Sequence, residues 1–202
     1  MANQYETAPK LDIISLIGCI GAGKTTKIND LRKCGNIVIE EDLNFWNSIN
    51  MLEKTYNDQK RYSFTFQTMV LFSNLQDIKN CEKQYGGKTV YTERSIIDSR
   101  YVFVEVLREI GCINDDEYKL FCWQYDLFSK HLNSIIPKKF MYIRTNPKLC
   151  FDRIKKRGNK YEKNITIDYL QRLYNKYEDL VARLKKEGCE IEIIDNNFNH
   201  NQ

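Results

Sequence analysis

The octet Gly18-Cys19-Ile20-Gly21-Ala22-Gly23-Lys24-Thr25 constrains this chain more than any other stretch, because it fits G-x-x-x-x-G-K-[ST] between two segments of opposite character. Before it, Leu11-Asp12-Ile13-Ile14-Ser15-Leu16-Ile17 is almost continuously apolar, the pattern of a strand covered on both faces in a parallel sheet. After it, Thr25 to Lys33 reads as a helix. A strand that turns through glycines into a helix aims backbone N–H groups and the positive end of the helix dipole at one point, which makes a cradle for phosphate. Gly18, Gly21 and Gly23 shape that cradle, and Lys24 is placed to reach β and γ phosphates. Thr25 offers a hydroxyl to Mg²⁺, with Thr26 beside it at the helix start.

The remaining chain alternates strand and helix. Short apolar runs at Ile37-Val38-Ile39, Thr89-Val90-Tyr91-Thr92, Phe140-Met141-Tyr142-Ile143 and Glu190-Ile191-Glu192-Ile193-Ile194 read as strands. Helical patterns fall at Leu43 to Tyr56, Tyr62 to Lys83, Ser99 to Ile110, Asp115 to Leu132, Lys148 to Lys156 and Ile167 to Lys186. This alternation, with the phosphate loop, predicts an α/β fold of the P-loop type, a three-layer sandwich around a parallel sheet of about five strands. A length of 202 residues suits one domain, with residues 1–10 and 196–202 expected as loose tails.

Composition narrows the partners. The 31 basic and 27 acidic residues are interspersed, so no basic footprint for nucleic acid is expected. No apolar run approaches the ~18 residues that a membrane span needs. Seven scattered cysteines, an odd number without a C-x-x-C pair, fit a reducing compartment. The expected location is cytoplasmic or organellar.

A phosphate loop alone does not separate kinases from ATPases and GTPases. The chain carries no N-K-x-D segment for guanine, which favours ATP as the donor. Glu40-Glu41-Asp42 closes the second strand, where acids face a ligand crevice, and Glu93-Arg94-Ser95 follows the third strand.

The spacing of these and other segments resembles the deoxyribonucleoside kinases, the family of the deoxycytidine, deoxyguanosine and mitochondrial thymidine kinases. The resemblance covers roughly Leu11 to Glu178. It rests on the phosphate loop, Glu41 with Trp46, Tyr56 with Tyr62-Ser63-Phe64-Thr65-Phe66-Gln67, Glu93-Arg94-Ser95 with Arg100-Tyr101-Val102-Phe103, Tyr142 to Pro147, and Arg153 to Gly158 with Glu162. It implies transfer of the ATP γ-phosphate, with Mg²⁺, to the 5′-hydroxyl of a deoxyribonucleoside, for nucleotide salvage.

The same resemblance assigns roles. Glu41 corresponds to the general base, a carboxylate that takes the sugar hydroxyl proton, and alternation along the strand lets only one of Glu40 and Glu41 face the cleft. Glu93 corresponds to a magnesium-holding acid, and Arg94 to the arginine that stabilises the transferred phosphate. Gln67 corresponds to the reader of the base, between Trp46, Phe66 and Phe103. Tyr56 and Glu162 correspond to the grip on the sugar 3′-hydroxyl, and Arg153 and Arg157 to a lid over the phosphates.

Departures from the family pattern bear on specificity. A frequent lid arginine is replaced by Asn159, and the charged pair that deoxycytidine and deoxyguanosine kinases carry beside the base is replaced by Asn74 and Ser99. Small Ser99 leaves room for a 5-methyl group, so a lean toward thymidine and deoxycytidine is expected, with Asp98 able to compensate in part if its helix is shifted. Two readings compete: a nucleoside monophosphate kinase, disfavoured because Glu41 would repel a charged acceptor, and a catalytically silent relative, disfavoured because Lys24, Thr25, Glu41, Glu93 and Arg94 are all present. A homodimer is expected, with Leu71 to Lys79 and Ser99 to Ile110 as candidate faces.

Overall fold

A computed structural model describes residues 9–41, 43–131 and 136–197. Asp42, the expected helix end at Leu132, and the expected tail residues 1–8 and 198–202 lie outside the described residues.

Strands β1 (Asp12–Ile17), β2 (Ile37–Ile39), β3 (Thr89–Glu93), β4 (Lys139–Arg144) and β5 (Glu190–Asp195) form one sheet in the order β2-β3-β1-β4-β5, and every neighbouring pair is parallel. The described helices are α1 (Lys24–Lys33), α2 (Leu43–Ser48), α3 (Met51–Asn57), α4 (Gln59–Tyr85), α5 (Ile96–Asp98), α6 (Val104–Glu109), α7 (Asp115–His131), α8 (Pro147–Arg157) and α9 (Ile167–Lys186). A π-helical turn, Ser99–Phe103, links α5 to α6, and a 3-10 turn, Lys160–Asn164, precedes α9.

Side chains alternate across the strands and so divide the core. On one face Leu16 and Met141 pack with Ile28 of α1. On the other, Ile17, Phe140 and Tyr142 meet Leu170, Leu173 and Tyr177 of α9, while Ile13 and Val90 meet Leu71 and Ile78 of α4 and Phe121 of α7. Helices therefore flank a central parallel sheet, as the alternating pattern predicts. The C-terminal ends of β1, β2 and β3 open on one edge, where such sheets hold ligands. Among the described residues, no helix is long and apolar enough to cross a membrane.

Three local features depart from the sequence reading. The helix expected over Leu43 to Tyr56 divides at Asn50, whose φ of 53° is left-handed, a conformation asparagine tolerates better than most residues. The next helix begins earlier than expected, at Gln59, because the Asp58 side chain caps it by accepting from the Arg61 N–H at 3.1 Å. The segment Ser99 to Ile110, expected to offer a dimer face, belongs to the core instead: Val102, Phe103, Val104, Val106 and Leu107 are all buried. The described edges of both expected tails make hydrogen bonds, Gly87 N–H to the Pro9 carbonyl at 3.1 Å and Asn196 N–H to the Arg144 carbonyl at 2.8 Å.

Candidate active site

The phosphate loop is closed by glycines in conformations that other residues rarely adopt: φ is 147° at Gly18, 78° at Gly21 and 100° at Gly23. A Cβ on Gly18 would lie 2.6 Å from the Ile143 carbonyl oxygen, and one on Gly21 would lie 2.7 Å from the Cys150 carbonyl oxygen. Lys24 is buried and its Nζ curls back to donate to the Gly18 and Cys19 carbonyls at 3.0 and 2.9 Å. Burial, followed by the Arg94 charge, pushes the Lys24 pKa down against the opposing pull of Glu93 and Glu41. A polyphosphate in the loop would restore an anionic partner to this cation.

Thr25 starts the helix beside Glu93 at the end of β3, and its hydroxyl donates to the two carboxylate oxygens at 3.2 and 3.3 Å. A hydroxyl and a carboxylate at this spacing, next to a phosphate cradle, are hard oxygen donors of the kind that hold Mg²⁺ together with substrate phosphates and water. The donor set thus fits the ion.

Across the cleft, two acids follow β2. Only one of them was expected to face the cleft, but both reach the cavity wall described below, and they differ in partner: Glu40 is paired with Arg32 at 2.5 Å and Glu41 with Arg94 Nη1. Arg94 occupies the elbow between β3 and α5 with φ 64°, a left-handed conformation for a residue with a side chain. Three features hold that elbow. The Arg94 N–H donates to the Leu16 carbonyl at 2.9 Å, and Ser95 caps α5 through Asp98, whose Oδ2 accepts from the Ser95 N–H at 2.9 Å and hydroxyl at 3.1 Å. The Arg94 guanidinium lies 4.9 Å over the Phe103 ring, and its Nε is buried without a partner. Burial opposes the charge of Arg94, and Glu41 offsets that burial and keeps it protonated.

These groups line one cavity of about 750 Å³. Of the residues expected at the site, Gly21, Gly23, Lys24, Thr25, Thr26, Glu41, Trp46, Tyr56, Phe66, Gln67, Glu93, Arg94, Ser99, Phe103, Arg153, Arg157 and Glu162 all reach its wall. Gly18 does not; it underlies the loop against β4. Trp46 and Phe66 meet edge to face at 5.3 Å, and both Trp46 Nε1 and Gln67 Oε1 are buried without a partner. Orphaned polar atoms facing a cavity are satisfied most simply by a polar ligand. The π turn brings both Ser99 and Phe103 to the wall. Arg157 makes a forked pair with Glu162 at 2.7 and 2.8 Å, and burial, with the Glu162 charge next, pushes the Tyr56 pKa up.

Two residues weighed for base recognition lie elsewhere. Asn74 donates to the Val70 carbonyl of its own helix at 3.1 Å and is not part of the wall. Asp98 is fully buried and bonded to Ser95 and to the Tyr177 hydroxyl at 2.9 Å, so no helix shift brings it to the base end. The wall also includes Thr55, Val70, Leu107 and Tyr169, which the sequence reading did not single out. Each sits on a helix face with ordinary core periodicity, and only the spatial meeting of α3, α4, α6 and α9 distinguishes them.

A family model described as deoxynucleoside kinase matches residues 14–202. The chain belongs to the deoxynucleoside kinase family. This deoxynucleoside kinase is 30% identical over 187 residues to a Fowlpox virus protein named "Probable deoxycytidine kinase", covering 91% of this chain and 77% of the relative. It is 31% identical over 194 residues to deoxycytidine kinase 2 of Gallus gallus (84% and 73% covered) and 29% identical over 178 residues to mitochondrial thymidine kinase 2 of Homo sapiens (86% and 66% covered). The enzyme is accordingly an ATP-dependent deoxynucleoside kinase, and neither rival reading is needed.

Proposed function

We propose that this kinase acts on pyrimidine deoxynucleosides in nucleotide salvage, with Glu41 as base and Arg94 as the group that stabilises the transferred phosphate. One observation carries the mechanism: a carboxylate and a guanidinium are paired in the wall that also holds the phosphate loop. A 5′-hydroxyl entering between them would pass its proton to a Glu41 oxygen as its own oxygen attacks the γ-phosphorus and the bond from that phosphorus to the bridging oxygen breaks, with ADP leaving. Arg94, kept protonated beside Glu41, meets the negative charge that develops on the phosphoryl oxygens. Lys24 exchanges its carbonyl partners for phosphate, and Arg153 and Arg157 close from α8. Mg²⁺ held by Thr25 and Glu93 would neutralise phosphate charge when bound. Tyr56 and Glu162 grip the 3′-hydroxyl, which ties sugar recognition to the lid through the Arg157–Glu162 pair.

The pyrimidine lean is supported by the base end of the cavity. Gln67 presents an unpaired carbonyl oxygen, which with its amide can make a two-point contact. Ser99 is small, and its sequence neighbour Asp98 is committed to Ser95 and Tyr177. The relatives named as deoxycytidine and thymidine kinases point the same way. With the four deoxynucleosides, ATP and Mg²⁺, thymidine and deoxycytidine should give kcat/KM about tenfold or more above the purines, the scale of discrimination one fitted group supplies. Equal or better use of deoxyadenosine and deoxyguanosine would overturn the lean while leaving the kinase reaction intact.

Pairing of two copies is also proposed, through α4 and α7. Phe72 (49% exposed), Leu120 (45%), Trp123 (60%) and Leu127 (39%) leave an apolar surface, and the Phe72–Phe128 ring contact at 5.2 Å joins the two helices. Apolar surface concentrated on adjoining helices is what a subunit interface covers. Trp123→Glu should convert the enzyme to a species of half the mass in light scattering, and an unchanged mass would dismiss this face.

A further inference from the structure

A single carbonyl of the phosphate loop collects three side-chain donors from distant parts of the chain. The Ala22 oxygen accepts from Thr145 Oγ1 at 3.1 Å, from Arg153 Nη1 at 3.3 Å and from Asn196 Nδ2 at 2.8 Å. Asn196 immediately follows β5 and is itself held at both backbone groups. Its N–H donates to the Arg144 carbonyl at 2.8 Å, and its carbonyl accepts from Arg153 Nη2 at 3.2 Å. Its neighbour Asn197 accepts from the Asn146 N–H at 2.8 Å. The side chain cannot easily withdraw from the loop, because its backbone is fixed to β4 and α8.

We propose that Asn196 is a positioning residue for the triphosphate: it sets the plane of the Ala22–Gly23 peptide and so aims the Gly23 N–H into the cradle. A trans peptide is planar, with C=O and N–H pointing in opposite directions. Fixing the Ala22 oxygen outward therefore turns the Gly23 N–H inward, toward the cavity that Gly23 lines. Gly23 has φ 100°, and a Cβ there would lie 2.6 Å from Asn196 Nδ2, so the two residues are fitted to each other. The Asn196 bond is the shortest of the three that hold this peptide in a glycine-bracketed loop, and without it phosphate would have to supply part of that ordering on binding. The inference rests on the reading of Gly18 to Thr25 as the ATP phosphate site. It adds that the segment after β5 acts on the phosphates through the loop and not through contact with the adenine.

Steady-state kinetics of the full chain with Asn196→Leu, which keeps the branched shape and removes the donor, and with the smaller Asn196→Ala, test the proposal. Inorganic tripolyphosphate with Mg²⁺ serves as an adenine-free competitor of ATP. For both variants, KM for ATP and Ki for tripolyphosphate should rise together by about three- to tenfold, the range of one lost hydrogen bond, while KM for the deoxynucleoside stays within about twofold. A rise for ATP with unchanged tripolyphosphate inhibition would place Asn196 at the adenine and overturn the proposal. A lowered melting temperature with both constants unchanged would make it a structural residue only, with the same effect. If tripolyphosphate failed to compete with ATP on the unaltered enzyme, the phosphate-site reading itself would be at fault.

Discussion

Replacing Glu41 with Gln should lower kcat by about 10²- to 10⁴-fold, the contribution of a positioned general base, and leave deoxynucleoside affinity within a few fold. Glutamine keeps the length and the carbonyl oxygen that can still accept from Arg94, so the wall of the cavity is preserved while the proton acceptor is lost. Trp46 gives a binding signal independent of turnover, because it is 2% exposed and lines the same cavity. Quenching of its fluorescence by thymidine or deoxycytidine should follow nearly the same curve in both proteins. Undiminished turnover in the variant would show that the hydroxyl proton leaves by another route, and the pairing of Glu41 with Arg94 would then be a structural ion pair.

How much of this site could be read from the chain depends on how local each cause is. The phosphate loop was legible because its geometry is dictated by residues adjacent in sequence: an apolar strand, glycines able to take positive φ, and a helix start. Strand alternation was a poorer guide to Glu40 and Glu41: β2 ends at Ile39, both acids reach the cavity wall, and what separates them is their partners, Arg32 and Arg94. The burial of the segment Ser99 to Ile110 was not legible. A helix apolar on one side carries no label saying whether that side meets the molecule's own core or a second copy, and the answer came from its packing against α9 and α4. Nor was the direction of Asp98. One residue's rotation about a short helix decides between the base pocket and the interior, and Tyr177, far along the chain, makes that choice. Asn196 escaped for the same reason, since its partners belong to the loop after β1, the end of β4 and α8.

Asp98 then becomes the residue outside the cavity wall whose loss should be felt most. Its carboxylate is fully buried and accepts three hydrogen bonds, two from Ser95 and one from Tyr177. Asp98→Ala removes the cap of α5 and strands the Ser95 N–H and the Tyr177 hydroxyl in the interior, a loss of about 3 kcal/mol of stability. It also releases the elbow at Arg94, where a left-handed conformation stores about 1–3 kcal/mol, so kcat should fall even at temperatures where the variant is folded. Asp98→Asn should restore most of the stability, with its carbonyl toward Ser95 and its amide toward the Tyr177 oxygen. Burial pushes the Asp98 pKa above the ordinary carboxyl value of 3.8, against the pull of Arg94 and the donors Tyr177 and Ser95. The folded state therefore holds this proton more tightly than the unfolded chain. The resulting stabilisation is complete below about pH 3.8 and is lost as pH rises through the raised folded value. Urea unfolding of the unaltered enzyme and Asp98→Asn across that range should accordingly show the difference moving in favour of the asparagine variant as pH rises. Coincident midpoints for the unaltered enzyme and Asp98→Ala would mean that the elbow holds Arg94 without its cap.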